Sequence, residues 1–242
     1  MQNLFVQESV YLEQSRLVQY NYYTFYTLHF TFLYILHSTF YILHFFGSEG
    51  DEILGIVLAS GSPRRYELLK MIGIDDFRVV PDTTDEVIMP FLSPEETVCN
   101  IALQKATNVS RSCEADDMII AADTLVYLDG NPMSKPADAD DAANMLRALS
   151  GRRHTVFTGI ALLRRNDSVT HAEKTEVYFR KLSDSEILAY VKTGEPMDKA
   201  GAYAAQGRGA IFVERIEGEF FNVMGLPLCR LAIMLREFGF II

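Results

Sequence analysis

From Ile53 to Phe238, short apolar runs alternate with capped, amphipathic stretches, and this alternation restricts the chain to an α/β architecture. Ile53 to Ala59 is a β-branched run suited to a buried strand, while Leu68, Leu69 and Ile72 fall at helical spacing within Arg64 to Ile72. Between them, Ser62 is expected to cap the helix and Pro63 to take its first position, with Gly73 as the left-handed stop. Two capping boxes, Ser93-Pro94-Glu95-Glu96 and Ser183-Asp184-Ser185-Glu186, open two further helices. The first carries Val98, Ile101, Ala102, Lys105 and Ala106, and the second ends at Gly194. Asp138 to Ser150 reads as another helix, closed by Gly151. Met118 to Leu128 reads as a strand before an Asp129-Gly130 turn, and Thr155 to Leu163 with Val169 to Phe179 form a long hairpin around Asn166-Asp167. Strands at Ile211 to Ile216 and Phe220 to Val223 and a helix at Leu228 to Phe238 complete an α/β fold with mixed strand directions.

Several of these segments carry groups that their structural role does not require. A strand ending in Ser60-Gly61-Ser62 at a helix start offers unpaired N–H groups and a positive dipole end, to which Arg64 and Arg65 add forked donors suited to phosphate. The same residues also read as ordinary capping with two solvated arginines. Asp123 interrupts the buried run Ile119 to Val126, where a carboxylate needs a partner, a cation or a task as a water-activating base; the alternative is a strand end facing solvent. Asp82-Thr83-Thr84-Asp85-Glu86 supplies oxygens for a hard divalent ion, or is simply a polar loop. Lys105 and Lys135 are cations able to neutralise phosphate, with a snorkelling and a solvated lysine as the plain alternatives. In the glycine-rich stretch 198–209, Gln206 offers both a donor and an acceptor to a base edge, unless the stretch is only a connection. No GxxxxGK[ST] loop occurs.

Composition narrows the partners. A net charge of -10 argues against a chain that coats nucleic acid, so any phosphate site must be local. The 3 cysteines lack any CxxC or Cys/His spacing, which points to a reducing, intracellular compartment. Leu17 to Ser48 carries no Asp, Glu, Lys or Arg and is crowded with aromatics, yet Gln19, Asn21, its Thr and Ser residues and His29, His37 and His44 make it a poor membrane span. It reads as a biased extension, 1–52 including a polar linker 47–52, ahead of a domain at 53–242. A secretory leader fits badly, since Glu8 and Glu13 stand where a basic cluster is needed.

Taken in order, the motifs resemble the Maf family of nucleoside triphosphate pyrophosphatases, related in fold to the inosine triphosphatases. The residues that carry the likeness are Leu58-Ala59-Ser60-Gly61-Ser62-Pro63-Arg64-Arg65, Asp85-Glu86, Lys105-Ala106, Ala122-Asp123-Thr124 and Lys135-Pro136. They continue through Leu149-Ser150-Gly151, His154, Thr158-Gly159, Asp198 to Tyr203, Gln206-Gly207 and Asn222-Val223 before Gly225-Leu226-Pro227-Leu228. The resemblance implies two α/β lobes around a mixed sheet, with a nucleotide cleft between them in which a triphosphate is cut between its α and β phosphates. It implies catalytic roles for Asp123, Lys105 and Lys135, substrate contacts from Ser60, Ser62, Arg64, Arg65, Thr124 and Gln206, and a divalent metal, Mg²⁺ or Mn²⁺, held by Glu86 and Asp123. Residues matching Arg64, Thr124 and Gln206 accompany the subgroup acting on dTTP and UTP, which makes these, with modified pyrimidine triphosphates, the expected substrates. A cytoplasmic homodimer without nucleic-acid polymer or membrane is implied as well. The alternatives are a purine-proofreading enzyme like the inosine triphosphatases and a non-catalytic nucleotide-binding regulator of cell division. Ala204-Ala205 departs from the Gly-Ile frequent in that subgroup, and the aromatic extension has no family counterpart.

Overall fold

The structure, a computed structural model, describes residues 55–240 and 242. The aromatic extension, the linker 47–52 and the strand onset at Ile53 lie outside the described residues. One seven-stranded mixed sheet runs through the domain in the order β2-β1-β3-β5-β6-β7, with β4 paired to β3 off this path. Its strands are β1 (Ile56–Leu58), β2 (Arg78–Val79), β3 (Met118–Leu128), β4 (Asn131–Met133), β5 (Arg153–Arg164), β6 (Asp167–Phe179) and β7 (Val213–Glu217). Strand β1 lies parallel to β2 and β3, and every other pairing is antiparallel. The helices are α1 (Pro63–Met71), α2 (Pro94–Ser110), α3 (Ala139–Leu149), α4 (Asp184–Val191), α5 (Phe220–Met224) and α6 (Leu228–Glu237).

Helix α2 owes its start to the predicted capping box: the Glu96 N–H donates to Ser93 Oγ (3.2 Å) and the Ser93 N–H to Glu96 Oε2 (2.8 Å). It packs on one face of the sheet, where its small Ala102 and Ala106 meet Ile119, Ala121 and Ala161. On the opposite face α1 and α6 bury Leu68, Leu69, Leu231 and Leu235 against Met118, Ile120 and Ala122. Farther along that face α3 and α4 bury Leu146, Leu149, Ile187 and Tyr190 against Val126, Val156 and Val177. The two lobes expected from sequence are therefore two apolar clusters sharing one sheet, and β3 and β5 run through both.

Four local expectations change. Phe220 to Val223 is not a strand but the short helix α5, ended by Gly225 at φ 101°. A four-residue stretch with three apolar side chains fits either structure, and here the Asn222 side chain is drawn into the core. The β5–β6 turn uses Arg165 and Asn166, one residue before the expected pair, with Arg165 at φ 55°. Residues 208–212 form a 3₁₀ turn, so the last strand begins at Val213 rather than Ile211. Ser62 sits at the N-cap of α1, but its hydroxyl makes no cap bond; instead its N–H donates to Ser60 Oγ (3.2 Å).

Candidate active site

Strand β3 brings two polar side chains to the point along its length where the first cluster gives way to the second. Successive residues on a strand face opposite ways. Asp123 follows Ile119 and Ala121 on the α2 face, and Thr124 follows Ile120 and Ala122 on the α1 face. Each meets a cation supplied by the helix on its own side.

On the α1 face that cation is Arg65. Its Nε donates to the Gly225 carbonyl (2.7 Å), one terminal nitrogen to Ser60 Oγ (3.1 Å) and the other to Thr124 Oγ1 (3.1 Å). One guanidinium thus ties the end of β1, the middle of β3 and the α5–α6 junction. Burial lowers its pKa from the ordinary value, the charge of Asp123 pulls the other way, and Arg64 adds to the lowering; the side chain stays charged all the same. The bond network continues inward with a fixed direction. Thr158 Oγ1 donates its one proton to the Asn222 carbonyl (2.9 Å), so its 3.0 Å contact with Thr124 is a bond that Thr124 donates. Asn222 Nδ2 in turn donates to the Val156 carbonyl (3.1 Å) and to Thr175 Oγ1 (2.9 Å).

On the α2 face, Lys105 Nζ lies 2.6 Å from Asp123 Oδ1 and 2.8 Å from Glu86 Oε1. The lysine and Asp123 are largely buried, Glu86 much less so. Asp123 Oδ2 is buried and has no hydrogen-bond partner. A carboxylate oxygen shielded from water and left unpaired costs free energy, and such an atom fits a role that another molecule completes. The close seating of α2 depends on Gly159, which faces Asp123 across the β3–β5 ladder: a Cβ there would lie 2.2 Å from the Val98 carbonyl oxygen.

The structure thus gathers Ser60, Arg65 and Thr124 into one cluster and Glu86, Lys105 and Asp123 into another, with Ser62 bonded to the first through its backbone. The side chains of Arg64, Lys135 and Gln206 make no hydrogen bond or ion pair with the described residues, and Lys135 and Gln206 are exposed. The two adjacent arginines therefore differ: Arg65 is committed to the protein, and Arg64 is free to meet an anion.

Sequence reasoning missed the residue that holds the glycine-rich loop. Glu195 Oε1 accepts from the Tyr190 hydroxyl (2.9 Å) and the Gly209 N–H (3.2 Å), and Oε2 from the Arg208 N–H (3.1 Å). Burial pushes Glu195 up, but the bonds from Arg208, Gly209 and Tyr190 outweigh it and the net shift is downward. A Cβ on Gly207 would meet Glu195 Oε1 at 2.4 Å. The available signal was Gly207 and Gly209 flanking Arg208, but nothing local named a carboxylate so far upstream.

Among the described residues no three or more His, Cys, Asp or Glu side chains converge in a way that would hold a metal. Mg²⁺ commonly takes only one or two carboxylates and completes its shell with water and substrate phosphate oxygens. Glu86 and Asp123, both acidic oxygen donors and one with an unpaired buried oxygen, fit that requirement.

The chain matches the family described as Maf-like protein over residues 55–238. It is 48% identical over 192 residues to a dTTP/UTP pyrophosphatase of Caldicellulosiruptor saccharolyticus, covering 76% of this chain and 95% of that protein. A dTTP/UTP pyrophosphatase of Pelotomaculum thermopropionicum is 50% identical over 188 residues, with 76% and 97% covered. One from Bacillus cereus is 42% identical over 191 residues, with 79% and 93% covered. Among solved structures, a HAM1 protein from Coxiella burnetii aligns with a TM-score of 0.45 at 19% identity, over 76% of this chain and 99% of that one. With the family match running from strand β1 to the end of helix α6 and relatives at this level of identity, the chain belongs to the Maf family.

Proposed function

We infer that this protein is a nucleoside triphosphate pyrophosphatase that hydrolyses dTTP and UTP, and modified pyrimidine triphosphates of similar shape, to the monophosphate and pyrophosphate. The activity comes from its relatives. The observation that carries the chemistry is the unpaired, buried Oδ2 of Asp123 beside Lys105. Asp123 Oδ2 accepts a proton from a water molecule as that water attacks the α phosphorus. A bond forms between the water oxygen and phosphorus, and the bond from phosphorus to the α–β bridging oxygen breaks. Pyrophosphate leaves with the electron pair, and the charge that develops is met by Lys105, Lys135 and Arg64. Arg64 is suited to the phosphate chain because it is uncommitted, and Ser60 and Ser62 frame the same mouth. Arg65 holds Thr124 in place from inside. Glu86 and Asp123 would hold Mg²⁺ or Mn²⁺, which when bound shields the phosphates and polarises their oxygens. Thr124, Arg64 and Gln206 set the preference for a pyrimidine.

We further propose that the protein is a cytoplasmic homodimer whose catalytic domain, 53–242, follows an extension at 1–52. No helix among the described residues is long and apolar enough to cross a membrane. Sedimentation at micromolar concentration should give a dimer, and a monomer would count against it.

The test is pyrophosphate release by the full chain across dTTP, UTP, ITP, XTP and 7-methyl-GTP with Mg²⁺ or Mn²⁺. Turnover of dTTP and UTP that Asp123→Asn abolishes is the expected result. Preference for ITP or XTP would move the chain to purine proofreading. A folded protein that binds a nucleotide without turning any over would make it a regulator.

A further inference from the structure

Helix α2 presents Asn100, Gln104 and Asn108 at four-residue spacing, a line of carboxamides along one stripe of its surface. All three reach toward or support the segment that carries Glu86. The Val87 N–H donates to Gln104 Oε1 (3.1 Å), and Gln104 Nε2 donates back to the Val87 carbonyl (2.8 Å). One side chain so grips both backbone groups of the residue next to Glu86. The same Nε2 donates to Asn100 Oδ1 (2.5 Å), which sets the orientation of the amide. One helical turn on, Asn108 Nδ2 donates to Thr84 Oγ1 (2.6 Å) and Asp82 Oδ2 (3.2 Å), holding the chain just before Glu86.

Burial does not do this holding. The residues that follow Glu86 are apolar but point to solvent: Ile88 is 67% exposed and Phe91 fully so. No helix or strand occurs between Val79 and Pro94. Apart from the local bonds of Thr84 to Asp82, the hydrogen bonds and the ion pair that tie residues 84–87 to the rest of the fold come from α2. Gln104 adjoins Lys105, so the grip and the lysine that receives Glu86 belong to one rigid element.

We propose that Gln104, aided by Asn108, is a positioning residue that fixes the backbone on either side of Glu86 and so delivers its carboxylate to the Lys105–Asp123 pair. The inference rests on the reading of Glu86 as a metal-holding carboxylate. Removing the grip leaves Glu86 present but unplaced, so the cation is held less well while Lys105 and Asp123 stay intact.

Gln104→Met keeps the side chain's length and removes its hydrogen bonds, and Glu86→Gln serves as the reference. Two quantities are read in the full chain: amide hydrogen exchange of residues 83–92, and the Mg²⁺ concentration that half-saturates dTTP hydrolysis. For Gln104→Met we expect faster exchange in that segment, about a tenfold higher Mg²⁺ requirement, an unchanged melting temperature and a much smaller change in KM for dTTP. Glu86→Gln should raise the Mg²⁺ requirement at least as far. If Gln104→Met leaves the exchange or the Mg²⁺ requirement at the unsubstituted value while Glu86→Gln raises the latter, the positioning role is wrong and the reading of Glu86 stands. If Glu86→Gln itself leaves the Mg²⁺ requirement unchanged, that reading fails and the inference fails with it.

Discussion

Gly159→Ala tests whether Lys105 is placed beside Asp123 by the seating of a helix. The added Cβ would lie 2.2 Å from the Val98 carbonyl oxygen, 2.3 Å from the Val98 carbonyl carbon and 2.7 Å from the Cys99 nitrogen. All three atoms are backbone of α2, so no rotamer change relieves the clash. Ordinary carbon contacts need about 3.5 Å, and the helix must retreat from β5 by roughly 1 Å. The retreat opens the packing of Ala102 and Ala106 on Ile119, Ala121 and Ala161, at an overpacking cost of about 1–3 kcal/mol. For a domain of this size that lowers the melting temperature by roughly 3–10 °C. Lys105 rides on the same helix, so its 2.6 Å contact with Asp123 opens as well. A misplacement of about 1 Å at a reacting centre costs on the order of 10²-fold in rate. Calorimetry and steady-state pyrophosphate release are the assays, with Thr107→Ala on the exposed side of α2 as a control. A Gly159→Ala protein that melts like the unsubstituted one and keeps its kcat within twofold would refute the argument. A lower melting temperature with full kcat would refute only the link between helix seating and chemistry.

The two arginines should part company. Arg65→Met removes three hydrogen bonds and should lower both melting temperature and kcat, and Arg65→Lys should not restore them because one ammonium cannot reproduce the fork. Arg64→Met should leave the melting temperature unchanged and raise KM for dTTP about tenfold. His154 is buried, with Nε2 on the Tyr203 hydroxyl at 2.8 Å, and burial lowers its pKa from 6.5 to about 4 although Glu176 pulls the other way. The unfolded chain therefore takes up the proton first, and stability should fall as pH drops from 6.5 toward about 4, with no further loss from this group below that. At 1.36 kcal/mol per pH unit the loss approaches about 3 kcal/mol, measurable by urea unfolding at pH 7 and pH 4.5; a stability that is flat across this window, or steeper in His154→Phe, would contradict it. Asn222→Ala leaves the Val156 carbonyl and the Thr175 hydroxyl without their donor in a fully buried site, and should cost about 2–4 kcal/mol in denaturant unfolding together with part of the activity.

Sequence made the architecture legible wherever one residue carried its own reason. The capping boxes at Ser93 and Ser183, the Asp129-Gly130 turn and the Gly73 stop each act within a few residues, and each stands where it was read. Asp123 was legible because a carboxylate inside an apolar run conflicts with its surroundings whatever the fold. What stayed hidden depends on distance. Arg65 and Arg64 are chemically alike, and only the approach of Gly225, far along the chain, commits one of them to the interior. Asn222 sat in a short apolar run that fits helix or strand, and its contacts with Val156 and Thr175 decide the outcome. Gln104 is an unremarked polar residue on a helix until the backbone of Val87 arrives beside it. Glu195 likewise acquires its role from Arg208 and Gly209.

Because Asp123 and Thr124 are consecutive on β3 and serve opposite faces of the sheet, the strand cannot change length without harm to both. One residue gained or lost between Met118 and Ala122 would turn a hydroxyl toward Lys105 and a carboxylate toward the Arg65 fork. It would also shift the whole β3–β5 ladder, so that Gly159 no longer faced Asp123. Within β3 only substitution can alter the enzyme, one side chain at a time.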